Sequence, residues 1–190
     1  MSSKERTKRI SRLAMLTALS VVLVALIRFP IFPAAPYLTY DPADVPILVA
    51  AFMYGPWHGV AVTAIVSVLQ GLTVSADGGP IGIIMHILAT SAFCLTAGYI
   101  YKAKRTLKGA ITGLVFGAIA MSLVMAGCNV VLTPLYTGLP RSEVINMLVP
   151  IVIPFNLIKA GLNSVVTFLI YKPVERLFDI RKDKEAKKKV

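Results

Sequence analysis

Long apolar runs separated by short polar segments dominate the chain. Five stretches contain few or no charged residues, and they cover residues 10–28, 45–71, 80–101, 109–132 and 145–171. An apolar run of about 18–20 residues is long enough to cross the hydrocarbon core of a bilayer as an α-helix. The pattern therefore predicts an all-α membrane protein, in agreement with a hydrophobic content of 56% and a charged content of only 15%.

The second apolar run contains a break at Tyr54-Gly55-Pro56-Trp57-His58-Gly59, which could be a kink in one helix or a turn between two. A kink would give five helices, with basic clusters on both sides of the membrane. A turn would give six helices and would place all the basic clusters on one side, as the positive-inside rule requires. We therefore predict six transmembrane helices, with the N- and C-termini in the cytoplasm.

Basic residues lie mainly beside the ends of the apolar runs. Five occur at residues 4–12, four at 102–108 and eight at 172–189. A net charge of +11 would suggest a nucleic-acid partner in a soluble protein, but these positions favour anionic lipid. We expect no nucleic-acid partner and a single membrane domain over residues 1–190, with basic cytoplasmic tails at 1–9 and 181–190. Because no cleavage site follows the first apolar run, we interpret it as a membrane span and not a signal peptide.

A turn at Gly55 makes the second helix short. Residues 45–54 rise only about 15 Å, against a hydrocarbon core of about 30 Å. This helix should therefore begin in the outer loop, with Asp44 as its N-cap, and be sheltered by the other helices. Three outer segments follow, at 29–43, 73–79 and 133–143. The first contains four prolines, and we expect it to form a lid or wall over a ligand site.

The last apolar run contains the strongest candidate for a binding site. Asn156, Lys159 and Asn163 are spaced so that their side chains share one face of a helix. Lys159 lies in the middle of the run, where a cation costs at least about 2.5 kcal/mol, so it should face a polar cavity or a partner. Asn129 in the fifth helix is a companion, unless it only bonds a neighbouring helix. Two amides and an ammonium can recognise a planar ligand edge that alternates acceptors and donors.

Small residues at helical spacing form two stripes. One consists of Ala14 and Ala18, continued by Ala25, and the other runs along the fifth helix at Gly109, Gly113 and Gly117. Either stripe could let a partner helix approach closely, or could pack inside the monomer.

The sequence lacks the motifs typical of nucleotide binding and of nucleophilic catalysis. The sequence lacks a phosphate-binding G-x-x-x-x-G-K-[ST] motif and a nucleophile–base pair. Cys94 and Cys128 lie in separate apolar runs without metal-ligand spacing, so we expect them to pack. The chain is therefore predicted to be a binding protein and not an enzyme, with no metal or cofactor of its own, whose energy source is another protein.

Four segments are similar to the riboflavin-binding S components of energy-coupling-factor (ECF) transporters and follow one another in the same order. They are Tyr37-Leu38-Thr39-Tyr40-Asp41-Pro42-Ala43-Asp44-Val45-Pro46, Gly55-Pro56-Trp57-His58-Gly59, Gly78-Gly79-Pro80-Ile81-Gly82-Ile83-Ile84-Met85-His86 and Pro154-Phe155-Asn156-Leu157-Ile158-Lys159. The resemblance extends from about residue 11 to residue 173. The family often has an asparagine where this chain has His86.

The resemblance implies a six-helix fold that binds riboflavin near the outer face, under the first loop. It implies that Asn129, Asn156 and Lys159 contact the polar edge of the isoalloxazine ring. The implied wall residues are Leu38, Tyr40 and Met85. Ala14 and Ala18 match the stripe by which such subunits dock on a transmembrane coupling protein, which two cytoplasmic ATPases energise.

Two other functions are alternatives to riboflavin binding. An S component for another vitamin, such as pantothenate or a pyridoxine-like compound, would have the same architecture. A small intramembrane enzyme acting on a lipid or prenyl substrate would need an acid–base pair or an aspartate-rich metal site, neither of which the sequence displays.

Overall fold

The computed structural model describes residues 2–33, 35 and 38–178, except for the side chain of Asp77. Part of the proline-rich segment and the predicted tail 181–190 lie outside these residues. Six helices make up the described fold, which confirms the predicted number. They are α1 (Ser3–Leu26), α2 (Asp44–Tyr54), α3 (Pro56–Leu72), α4 (Gly79–Lys104), α5 (Leu107–Thr137) and α6 (Arg141–Leu177). Between α1 and α2, β1 (Phe29–Pro30) pairs antiparallel with β2 (Thr39–Tyr40).

Four helices, α1, α4, α5 and α6, are long and apolar enough to cross a membrane. The two short helices, α2 and α3, pack against them. Every side chain from Asp44 to Met53 is buried, because α2 contacts α1, α3, α4 and α6. The bundle thus shelters the short helix as predicted, and its polar backbone ends do not face lipid.

The turn predicted between α2 and α3 is confirmed. Gly55 has φ +109°, a value that side chains with a Cβ rarely adopt. Pro56 follows as the first residue of α3, where its missing N–H removes no helical hydrogen bond. The Gly-Pro pair therefore ends one helix and begins the next within two residues.

Helix ends differ from the prediction at three places. α1 begins at Ser3 and not near residue 10, because Ser2 and Glu5 form a capping box. Asp44 is the first residue of α2 and not its N-cap; its side chain makes no capping bond and instead bonds other helices. The outer segment predicted at 133–143 is mostly helical, since α5 continues past Pro134 until Gly138, at φ +72°, ends it.

The two small-residue stripes have different environments. The glycine stripe packs inside the monomer: a Cβ on Gly113 would lie 2.8 Å from the carbonyl oxygen of Ala97, so the stripe lets α5 approach α4. Ala14, Ala18 and Ala25 of α1, by contrast, are exposed on the surface of the bundle.

One end of the bundle, here called the basic end, collects the start of α1 and the ends of α2, α4 and α6. The guanidinium of Arg12 lies 5.8 Å from the ring centroid of Phe178. Lys102 and Lys172 line a common cleft with residues of the α2–α3 turn. Most of the basic residues that the structure describes are therefore on one side of the protein.

Candidate functional site

A cavity of about 860 Å³ lies at the end of the bundle opposite the basic end. Its walls come from the segment after α1, the C-terminal ends of α3 and α5, and the N-terminal halves of α4 and α6. Ligand sites in proteins have volumes of about 300–1,000 Å³. The cavity is therefore large enough for a small organic molecule, and the first loop contributes Leu38, Thr39 and Asp41 to its wall.

Five of the six residues proposed for the ligand site line this cavity: Leu38, Met85, Asn129, Asn156 and Lys159. Tyr40 is not among the lining residues. Its ring centroid lies 5.3 Å from that of Phe29, and the two residues face each other in the β1–β2 pair. Burial raises the pKa of the Tyr40 phenol, and the negative charge of Asp41 raises that pKa further, so the phenol is neutral at neutral pH.

The two asparagine amides are held by their own helices. Asn129 donates from Nδ2 to the carbonyl oxygen of Met125 (2.9 Å), and its Oδ1 accepts from Thr133. Asn156 donates from Nδ2 to the carbonyl oxygen of Val152 (2.8 Å). Each amide nitrogen carries two N–H groups and uses one in this way. Each therefore keeps a second donor that a bound molecule could use.

A π-helical segment, Leu148–Val152, precedes Asn156 in α6. Pro150 and Pro154 lie in and just after this segment and have no N–H groups to donate, so a regular α-helical ladder cannot form through them. Single π-turns are frequent at functional sites. Here the turn supplies the carbonyl oxygen of Val152 that holds the Asn156 amide.

Lys159 forms a buried ion pair with Asp41 of the first loop. The Lys159 Nζ to Asp41 Oδ2 distance is 2.7 Å, and each side chain is 9% exposed. The other oxygen, Asp41 Oδ1, accepts from the backbone N–H of Ala43. An ammonium has three donors, so the pair joins the loop to α6 and leaves donors of Lys159 for the cavity, which it lines.

A second layer of polar contacts lies below this pair. Asn163 donates from Nδ2 to the carbonyl oxygen of Asp41 and to Oδ2 of Asp44, both at 3.2 Å. Asp44 Oδ1 accepts from Thr90 of α4 (3.1 Å) and lies 3.4 Å from His86 Nε2. Asn163, which shares a helix face with Asn156 and Lys159 as predicted, thus links α6 to the start of α2.

His86 is a further polar residue of this site. Its Nδ1 lies 2.6 Å from the Ser67 hydroxyl on α3, while its Nε2 faces Asp44. The ring therefore connects α2, α3 and α4 and also lines the cavity.

The sequence did not predict that Asp41, Asp44 and His86 belong to one site. A buried lysine requires a partner, and only four acidic residues lie between the first and last predicted spans: Asp41, Asp44, Asp77 and Glu143. These four residues were therefore the possible partners of Lys159 that the sequence offered. The meeting of His86 with Asp44, 42 positions away along the chain, depends on helix packing that no local pattern reveals.

Residues 8–171 match the family described as the substrate-specific component of ECF transporters. The riboflavin transporter RibU of Staphylococcus aureus is 40% identical over 143 residues, which cover 72% of this chain and 75% of that protein. The riboflavin transporter FmnP of Bacillus subtilis is 35% identical over 143 residues, covering 71% of this chain and 75% of FmnP.

Solved structures agree with these relatives. An S component of a bacterial ECF transporter superposes with a TM-score of 0.77 and 38% identity, covering 90% of this chain and 98% of that one. ThiT from Listeria monocytogenes, at 19% identity and a TM-score of 0.66 over 92% of this chain and 98% of its own, shares the fold. This multi-pass membrane protein therefore belongs to the family of substrate-specific (S) components of ECF transporters.

Proposed function

We propose that this protein binds riboflavin in the cavity and takes it up as the S component of an ECF transporter. The observation that carries the proposal is the convergence of Asn129, Asn156 and Lys159 on one cavity, in a chain 40% identical to a riboflavin transporter. The proposed ligand is the molecule named for that relative, and the cavity has the chemistry to hold it.

The polar edge of the isoalloxazine ring alternates carbonyl oxygens, ring nitrogens and an N–H group. Asparagine amides can donate and accept, whereas a lysine ammonium can only donate. The three side chains could therefore satisfy both kinds of group on that edge. Apolar side chains such as Leu38, Met85 and Phe155 also line the cavity and offer contact area for the ring faces. A site of this kind rejects analogues that lack a matching polar group, because its own buried groups are then left unpaired.

Energy for uptake would come from two cytoplasmic ATPases through a coupling protein in the membrane, so the chain itself would act as a binding subunit and not as an enzyme. Ala14 and Ala18 are one helical turn apart on α1, and both are exposed. In lipid, close approach of helices depends on such small side chains. We assign this alanine stripe as the docking surface for the coupling protein.

The basic end would face the cytoplasm and the cavity the outside. Lysines and arginines flank the spans at the basic end, and such residues are retained on the cytoplasmic side. Anionic lipid head groups would surround this end. Trp57 and Tyr99, both exposed there, are joined by a hydrogen bond from the indole to the phenol (2.9 Å), and such aromatic residues favour the membrane interface.

Purification in detergent provides the direct test. Protein incubated with riboflavin and then freed of excess ligand should carry the yellow flavin absorption in a saturable amount. Excess pantothenate or pyridoxine should not displace it. Protein that shows no flavin absorption, while remaining folded and monodisperse, would refute the proposed ligand.

A further inference from the structure

A second polar surface of the cavity lies on α3, away from the asparagines and the lysine. Ser67 and Gln70 of α3 both line the cavity. α3 packs on α1, α2 and α4, whereas α6 packs on α2 and α5. The cavity thus has two polar walls on different helices, which can recognise different parts of one ligand.

The two side chains of the α3 wall differ in their hydrogen bonding. The Ser67 hydroxyl donates to the carbonyl oxygen of Thr63 (2.7 Å) and also contacts His86 Nδ1, so it is satisfied within the protein. Gln70 is only 6% exposed, yet its Oε1 has no hydrogen-bond partner among the residues that the structure describes.

A buried amide oxygen without a partner costs free energy, because it has lost its hydrogen bonds to water. Replacing such a group by an apolar side chain of the same shape should therefore stabilise the empty protein. The cost of this glutamine is offset if a molecule bound in the cavity supplies the missing hydrogen bond. Its amide can both donate and accept, and a hydroxyl group requires the same two roles.

We infer that Gln70 binds hydroxyl groups of a polyhydroxylated side chain, so that the α3 wall forms a subsite separate from the ring-binding wall. The inference rests on the proposed function, since riboflavin combines a planar ring with a flexible polyol chain. The ring edge would contact Asn129, Asn156 and Lys159, and the polyol chain would contact Gln70.

The test compares two ligands that share a ring. Lumiflavin has the isoalloxazine ring of riboflavin with a methyl group in place of the polyol chain. Gln70→Met keeps the length of the side chain and removes its amide. The variant should bind riboflavin about five- to tenfold more weakly, the effect of one hydrogen bond. Its affinity for lumiflavin should stay within twofold of that of the wild type, and its Tm without ligand should be unchanged or higher.

Two other variants serve as controls. Thr167 on α6 is fully buried, its hydroxyl has no partner in the described structure, and it does not line the cavity. Thr167→Val should therefore leave both affinities unchanged. Lys159→Met removes a group of the ring-binding wall and should weaken both ligands.

The outcomes separate this inference from the proposed function. If Gln70→Met weakens both ligands equally, weakens neither, or lowers the Tm, the polyol subsite is wrong although riboflavin still binds the wild type. If the wild type binds no riboflavin, the proposed function itself fails. Selective loss of riboflavin affinity supports the subsite.

Discussion

The two ends of the bundle bury different kinds of side chain. At the basic end, the rings of Phe52, Tyr101 and Tyr171 pack together, with centroids 4.5 to 5.6 Å apart. At the cavity end, buried positions are occupied by Asp44 and Asn163, each fully inaccessible to solvent. Aromatic packing holds one end, and a hydrogen-bonded polar cluster holds the other.

This difference indicates where the protein has retained groups for binding. Apolar packing of buried side chains is the cheaper way to hold helices together, because a buried polar group destabilises unless every donor and acceptor is paired. The cavity end nevertheless keeps a lysine, two aspartates and three asparagines. Apolar side chains could have joined these helices instead, so we attribute the choice of polar ones to recognition of a ligand, and the following predictions test that division.

The largest expected effect is a loss of uptake, and it should follow from changes in the alanine stripe of α1, which belongs to neither end. Replacing Ala14 and Ala18 by Trp places two large rings on the exposed stripe of α1 and should hold a partner helix away. Riboflavin binding should be preserved, because the stripe is distant from the cavity wall. ATP-dependent uptake with the coupling module should fall to background. Affinity and uptake are measured on one preparation.

The matched control changes lipid-facing residues of another helix. Val115 and Ile119 of α5 have the same spacing and are 52% and 43% exposed. Their replacement by Trp should leave uptake close to that of the wild type. Normal uptake by the alanine double variant would refute the docking role, and joint loss of folding and binding would indicate that the stripe packs inside the monomer.

The next largest effect concerns the ion pair of the cavity end. Asp41→Asn leaves the Lys159 ammonium buried beside a neutral amide. Breaking a buried pair from one side costs about 3–5 kcal/mol, so the Tm should fall by roughly 10 °C. Adding Lys159→Met should recover part of the loss. Glu143, exposed at the same end, provides the control: Glu143→Gln should leave the Tm unchanged. An equal Tm for Asp41→Asn and the wild type would show that the pair contributes nothing.

The other member of the pair, Lys159, should affect the affinity for riboflavin. Lys159→Met keeps the length of the side chain and removes its donors, so riboflavin affinity should fall by about 1.5–3 kcal/mol, or about 10- to 150-fold. Because this change also leaves Asp41 unpaired, the Asp41→Asn/Lys159→Met double variant is measured beside it. An affinity within twofold of the wild type, in folded protein, would contradict the contact between Lys159 and the ligand.

Much of the fold could be predicted because lipid imposes a strong pattern on sequence. Apolar runs, basic flanks and the Gly55-Pro56 turn sufficed for six helices in the correct order. The helix ends were harder. The Ser2–Glu5 capping box was visible in the sequence but lay outside the apolar run. Residues 133–143 were predicted as an outer segment because the apolar run ends at residue 132, although α5 continues to Thr137.

The site could be predicted only in part, for a different physical reason. Asn156, Lys159 and Asn163 share a helix face, and the 3.6-residue period makes such a relation readable from sequence. The contacts of Asp44 with Asn163 and His86 join three helices. They depend on how the helices pack, which leaves no periodic signal. The unpaired amide oxygen of Gln70 likewise becomes visible only after the surrounding atoms are placed.

The smallest expected effect is a change in Tm, and it compares two glycines of α5 that lie toward opposite ends of the bundle. Gly113 of α5 lies where α4 and α5 touch, and an added Cβ would lie 2.8 Å from a backbone oxygen; Gly127, nearer the cavity, would have nothing within 4 Å of its Cβ. Alanine is favoured over glycine in a helix by up to about 1 kcal/mol, whereas overpacking costs about 1–3 kcal/mol. Gly113→Ala should therefore lower the Tm by about 2–4 °C, and Gly127→Ala should raise it by a similar amount. Thermal unfolding of both variants in the same detergent checks the signs. If both variants had a higher Tm than the wild type, α5 would not pack tightly on α4 at Gly113. The tight packing proposed for the part of the bundle near the basic end would then be wrong.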